Sequence, residues 1–152
     1  MKEYREFQSG SLMLAILIPS HILLIILYFA RIGTRPIDFN GFMFLNITFG
    51  LMYLLFYRMT TVITDEKVRV SFGVGLIWRN IEFNKILSAV AVKNPWYYSL
   101  GIHLIPNGML FNVSGSGAVE LTLKSNGRVF RIGTKNSLQL RDEIVKRLAP
   151  QT

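Results

Sequence analysis

From Ser11 to Ala30 the chain runs for 20 residues without an Asp, Glu, Lys or Arg. A helix of about 20 apolar residues is what crosses the roughly 30 Å hydrocarbon core of a bilayer. A second uncharged run of 17 residues, Gly41 to Tyr57, follows at once and is closed by Arg58. Only Arg31, Arg35 and Asp38 are charged between Ser11 and Tyr57, so the other 23 of the 26 charged residues lie elsewhere. The 17% charged average therefore mixes two chemistries, an apolar first third and a charged remainder. This excludes a simple soluble globule and a disordered chain. Two buried core helices are the competing reading, but the sequence after them offers no set of amphipathic helices to cover them.

Two spans are expected, at about 11–30 and 41–57, within an N-terminal part covering 1–59. Tyr28, Tyr53 and Tyr57 stand near span ends, where aromatic residues suit the headgroup level. The first run is longer than the apolar core of a signal peptide and no small-x-small site follows it, so an uncleaved anchor is expected. Two spans place both ends of the chain on one side. Thirteen of the 17 basic residues lie from Arg58 onward, with Lys2 and Arg5 before the first span and Arg35 in the connection. The positive-inside rule then puts both termini in the cytoplasm of a multi-pass protein of the inner or plasma membrane.

Polar notches interrupt both runs. Pro19-Ser20-His21 falls midway through the first, and a proline there removes a helix hydrogen bond. In the second, Asn46, Gly50, Tyr53 and Tyr57 recur on one helical stripe. Depth counted along the helices places His21 against Asn46 and Gly50. An intramembrane histidine can serve a proton or ion path. A path needs several ionisable groups and these spans offer one, so polar packing within the hairpin or between copies is the preferred role of His21, Asn46 and Gly50.

From Thr60 the apolar pattern changes to alternation with a period of two. Strands are expected at 61–64, 68–72, 76–83, 86–92, 101–105, 109–113, 118–124 and 128–132, the last short enough to pair only with its predecessor. Turn residues separate them: Asp65-Glu66-Lys67, Gly73 and Gly75, Asn94-Pro95, Pro106-Asn107-Gly108, Ser114 to Gly117, and Ser125-Asn126-Gly127. A closing amphipathic helix begins at Ser137, which can cap it, carries Leu138, Leu140, Ile144, Val145 and Leu148 at mixed three- and four-residue spacing, and ends at Pro150. The expected fold class is α+β: a two-helix transmembrane hairpin followed, over 60–152, by a small antiparallel barrel of about seven strands that the helix plugs.

Strands followed by one C-terminal helix form the pleckstrin-homology (PH) layout. The segments Asn94-Pro95-Trp96-Tyr97-Tyr98, Gly101-Ile102-His103-Leu104, Leu110-Phe111-Asn112-Val113-Ser114-Gly115, Ala118-Val119-Glu120-Leu121 and Arg131-Ile132-Gly133-Thr134 resemble the small bacterial PH-like domain proteins. The resemblance covers roughly Thr60 to Leu148, with His103 and Phe111 where that family pattern has Arg and Tyr. It implies a PH-like fold and a membrane address, and no reaction. PH domains that bind phosphoinositides use basic groups of the first hairpin, so the resemblance makes Lys67 and Arg69, with Arg79 on the next strand, a candidate anionic-lipid site. An ordinary solvated basic face is the alternative, since Asp65 and Glu66 dilute the cluster.

Trp96, Tyr97 and Tyr98 form an aromatic loop. It can line a ligand pocket or dip into the bilayer interface, but packing over the barrel mouth is the expected arrangement. The stretch Asn112 to Gly117 lacks the lysine and spacing of a phosphate-binding loop. With no cysteine, one histidine beyond the spans and carboxylates at no metal-ligand spacing, no catalytic residue, metal or other cofactor is expected. The net charge of +8 suits an anionic surface, and the tether argues against nucleic acid. The expected role is a membrane-anchored interaction or scaffold module, with the lipid bilayer and a protein partner or a second copy as partners. A lipid-surface sensor is the alternative, and a subunit of a membrane enzyme or transporter comes after both.

Overall fold

The computed structural model describes residues 3–113 and 115–148. Ser114 and Pro150, expected in a turn and at a helix end, lie outside them. Two apolar helices, α1 (Ser11–Phe29) and α2 (Phe39–Phe56), form an antiparallel hairpin. At 19 and 18 residues they are about 28 Å long, enough to cross a membrane. Only 6% and 0% of their most apolar windows are buried, so they are not covered core helices. Asp38 caps α2 by accepting from the Gly41 N–H at 3.1 Å. Helix α1 runs through Pro19, and the Ser20 hydroxyl donates to the Ile16 carbonyl one turn back.

Nine strands among the described residues make two sheets. The first has the order β1-β2-β3-β4, from β1 (Tyr4–Ser9), β2 (Arg58–Ile63), β3 (Lys67–Phe72) and β4 (Ile77–Glu82), all antiparallel. The second has the order β5-β8-β9-β7-β6, from β5 (Ile86–Lys93), β6 (Gly101–Ile105), β7 (Gly108–Asn112), β8 (Gly117–Leu123) and β9 (Val129–Gly133). Alternation places Val68, Val70 and Phe72 of β3 inward, where all three are fully buried. They meet Phe111, Val119, Leu121 and Ile132 of the second sheet in one core. Helix α3 (Ser137–Leu148) packs on β5 and β8 and drives Leu140 and Ile144 into that core. Burying such a side chain contributes about 1.5–3 kcal/mol, which explains why the helix stays attached.

Several expectations change. The strands do not close into a barrel: β4 and β6 are outer strands of separate sheets. Strand β9, the expected eighth, pairs with β7 as well as β8, and the β7–β9 ladder is parallel. A central strand buries its apolar residues on a covered face, and Phe130 and Ile132 require that position. Asn136, not Ser137, caps α3, its Oδ1 accepting from the Gln139 N–H. Of the expected apolar set Leu138 and Val145 are exposed, because only the side bearing Leu140, Ile144 and Leu148 meets the sheets. The first sheet also takes in Tyr4–Ser9, a segment counted with the N-terminal part.

That extra strand sets the relation of hairpin to sheets. β1 leads into α1, and α2 leads back into β2, its direct neighbour. Ser9 stands opposite Arg58, and the Gly10 N–H donates to the Tyr57 carbonyl at 2.8 Å. The helical hairpin is thus spliced into the turn of a β-hairpin. The β3–β4 turn closes on the same junction, with Gly73 N–H bonded to Arg58 O and Val74 N–H to Leu54 O. Phe56 then meets Phe72, and Phe72 meets Phe111, at ring separations of 5.8 and 5.2 Å.

Candidate functional site

Register sorts the basic residues onto two faces. Side chains at paired positions of adjacent strands share a face. Arg69 is opposite Val62 and Asn80, and Val62 is opposite Arg5, so Arg5, Lys67 and Arg69 lie on the outer face of the first sheet. Arg58 is two residues from Thr60 on that face, and a groove of about 410 Å³ takes in all four. Arg69 also lies over the Trp78 ring, 5.5 Å from its centroid. Arg79 is opposite the buried Val70, so it stands on the inner side. The expected trio of Lys67, Arg69 and Arg79 is therefore not one site, because an odd offset along β4 turns Arg79 the other way. The partners missed in sequence are Arg5 and Arg58, which flank the spans and stand out there only as topology signals.

The aromatic loop is pinned at both ends and bare in the middle. The Asn94 N–H bonds to Ser116 O, and Asn94 Oδ1 accepts from Arg131, itself paired with Glu120 at 2.6 Å. Asn112 Nδ2 donates to the carbonyls of Tyr98 and Gly115. Between these anchors Trp96–Tyr98 forms one 3-10 turn, leaving Trp96 82% and Tyr97 58% exposed. They do not pack over the core, since a turn this tight points them outward while its backbone satisfies the sheet ends. Asn112 directly follows Phe111, which reaches the helical hairpin through Phe72 and Phe56. The loop is therefore on the hairpin side of the sheets. Val74 and Leu76, both exposed in the β3–β4 turn, are on that side too, as is Phe7. Lys135 joins Phe7, Tyr57 and Arg58 around an open hollow there.

Within the hairpin, His21 Nε2 lies 2.9 Å from Asn46 Oδ1. Asn46 donates its own amide to Phe42 O, which leaves Oδ1 as acceptor and Nε2 as donor. His21 also stacks on Phe49, with centroids 4.5 Å apart, and its Nδ1 is 3.3 Å from the Tyr53 hydroxyl. A Cβ built on Gly50 would meet nothing within 4 Å, so Gly50 takes no part in close helix contact. Tyr53 and Phe49 make the contacts on that stripe instead.

Where the two sheets part, a cleft of about 620 Å³ opens between β4 and the ends of β6, β7 and β9. Ile81, Leu104, Met109 and Phe130 form its apolar surface, and Arg79 and Arg128 stand at its rim. Leu104 is opposite Met109, so it points to the core side of its sheet, yet it is 81% exposed. Among the described residues, no acidic one lines the cleft.

His103 is half-buried and its Nε2 donates to Leu100 O, a structural contact. No group of three or more His, Asp or Glu able to hold a metal occurs among the described residues. Two carboxylates are held below their ordinary range: Glu82 by the Lys85 ammonium and Glu143 by the Arg147 guanidinium. Burial, reinforced by Glu6, pushes the Tyr4 hydroxyl up to about 12. None of these groups lines the cleft. No family model matches the chain, and no curated or solved protein is significantly similar to it.

Proposed function

We propose that this chain is a membrane-anchored interaction module of the PH-like kind. Its two helices cross the cell membrane, both termini are cytoplasmic, and the sheets are held at the cytoplasmic surface for a protein partner or a second copy. One observation carries the reading: the helical hairpin interrupts two directly paired strands, with Ser9 opposite Arg58. A domain on a flexible linker samples all orientations, whereas this one is fixed by a ladder that continues into both helices. Two sheets with a C-terminal helix in their core accord with the PH-like layout. The exposed Trp96, Tyr97, Val74 and Leu76 suit the headgroup layer on the hairpin side.

The absence of native cysteine makes the topology directly testable. Arg35→Cys and Asp142→Cys are each introduced alone and treated in intact cells with a membrane-impermeant maleimide. Position 35 is expected to label in intact cells and position 142 only after lysis. The reverse pattern, or equal labelling, rejects the arrangement. Crosslinking through the thiol of the Asp142→Cys variant then separates self-association from a different partner.

The groove of Arg5, Arg58, Lys67 and Arg69 favours a second reading, an anionic-lipid surface contact. A fragment starting at Thr60 lacks β1 and the start of β2, so the full chain in nanodiscs is the proper sample. Capture of vesicles containing phosphatidylserine, lost in Lys67→Ala/Arg69→Ala, supports it, and capture unchanged by those substitutions rejects it.

A further inference from the structure

We propose that the cleft between β4 and the ends of β6, β7 and β9 is a binding site for a small amphiphilic anion, an apolar chain ending in a carboxylate or phosphate. The cleft and its chemistry stand apart from the membrane topology; only the source of the ligand rests on the helices spanning a bilayer, as proposed above. A volume of about 620 Å³ lies within the range of small-molecule sites, roughly 300–1,000 Å³. Its chemistry is divided as such a ligand needs. Ile81, Leu104, Met109 and Phe130 supply an apolar wall, and Arg79 and Arg128 supply the charge at the rim.

The two arginines are available. Some cations elsewhere in the chain are taken up by carboxylates: Arg131 by Glu120, Lys85 by Glu82, Arg147 by Glu143. Among the described residues neither Arg79 nor Arg128 has a side-chain hydrogen bond or ion pair, and no carboxylate lines the cleft. A planar guanidinium matches carboxylate and phosphate oxygens in paired hydrogen bonds, so two of them favour an anion over a neutral head.

The apolar wall is a product of the open fold. Leu104 faces the core side of β6, but the first sheet ends at β4 and nothing among the described residues covers it. A closed barrel would bury this leucine, and here it is 81% exposed. Ile81 and Met109 continue the surface inward. The site is also out of reach of lipid still in the bilayer. Strand β4 starts at the turn that touches α2 and leads away from it, and Ile81 is its fifth residue, about 13 Å from the start. The ligand is therefore one delivered through water or drawn out of the membrane.

The test uses the full chain in nanodiscs with 13C-methyl methionine. Met109 reports the cleft wall, and the fully buried Met59 reports the fold. Octanoate, octyl phosphate, octanol and inorganic phosphate are titrated separately. The expected result is a saturable Met109 shift with octanoate or octyl phosphate, at concentrations at least about tenfold below those for octanol or phosphate. Arg79→Gln/Arg128→Gln is expected to abolish that preference with the Met59 signal unmoved, and Leu104→Glu to abolish binding. Which of the two anions binds tighter separates a carboxylate ligand from a phosphate one. No Met109 shift with either anion, an equal response to octanol, or an undiminished preference in the double variant overturns the proposal.

Discussion

Glu6 accepts hydrogen bonds from the Thr134 hydroxyl on both of its carboxylate oxygens, at 2.8 and 3.0 Å, across 128 positions of sequence. The contact ties β1 to the loop between β9 and α3. Gln8, two residues on, adds a bond from its side-chain amide to the Gly133 carbonyl. The strand that leads into the first helix is therefore held by the second sheet as well as by β2. Thr134 is almost wholly buried, and a bond to a charged acceptor contributes about 1.5–3 kcal/mol. Thr134→Val, which keeps the shape and removes the hydroxyl, is expected to cost about 2 kcal/mol in denaturant unfolding. Thr134→Ser should retain most of the stability, and an unchanged midpoint in the valine variant would refute the latch.

In the helical hairpin, the His21–Asn46 contact links α1 to α2 at 2.9 Å. Hydrogen bonds between helices in lipid average about 0.6 kcal/mol and reach about 2. Asn46→Leu is expected to destabilise the protein in micelles by about 1 kcal/mol. Gly50→Ala should be silent, because its added methyl has open space. A large loss at Gly50 and none at Asn46 would place the helix contact elsewhere.

Trp96 provides an optical test of the proposed seating of the sheets on the membrane. The chain has two tryptophans, and Trp78→Phe leaves Trp96 alone. With Trp96 82% exposed on the hairpin side, its fluorescence should be quenched by lipids brominated high on the acyl chain. Quenching is expected to weaken as the bromine moves toward the chain end. Emission of a fully hydrated indole, with no quenching at any depth, would place the loop in water.

The sequence made some of these features readable and hid others, for definable reasons. The runs Ser11–Ala30 and Gly41–Tyr57 stand out because an uncharged stretch of that length has few other uses. Val68, Val70 and Phe72 alternate cleanly, so β3 is legible, and α3 shows its apolar face. Strand β1 is hidden because its inward residues are Tyr4, Glu6 and Gln8, two of them fully polar, which leaves no apolar alternation. The grouping of Arg79 with Lys67 and Arg69 fails because cross-strand register decides which face a residue takes, and register follows from the length of a turn that sequence alone does not fix. The cleft leaves no local signal. It arises where β4 and β6 fail to meet, which depends on the order of strands far apart in sequence.

Alkaline titration should expose the buried end of β1. Burial and Glu6 push Tyr4 from 10.0 up to about 12. The folded state thus holds the phenolic proton more tightly than the unfolded state does. The resulting stability is complete below about pH 10 and is lost as pH rises through about 12. Across that window Tyr4→Phe, which has no proton to lose, is expected to lose less stability than the wild type. Parallel curves for the two proteins would show that Tyr4 does not carry the alkaline loss.

The β3–β4 turn contains two glycines of positive φ that make opposite predictions about size. Gly73 has φ 53° and Gly75 has φ 93°. A Cβ on Gly73 would sit 1.8 Å from the Leu54 carbonyl oxygen, whereas one on Gly75 would meet nothing within 4 Å. Gly75→Ala therefore costs backbone strain alone, about 1–2 kcal/mol for an alanine in a left-handed conformation. Gly73→Ala adds a collision with backbone at the end of α2, which neither partner can turn aside. It is expected to cost upward of about 3 kcal/mol and to break the bond from the Val74 N–H to Leu54 O. Hydrogen exchange at Val74 reads that bond directly. Fast exchange in Gly73→Ala with protection in Gly75→Ala would show that the turn is seated on the helix, and equal protection in both would show that the seat is dispensable.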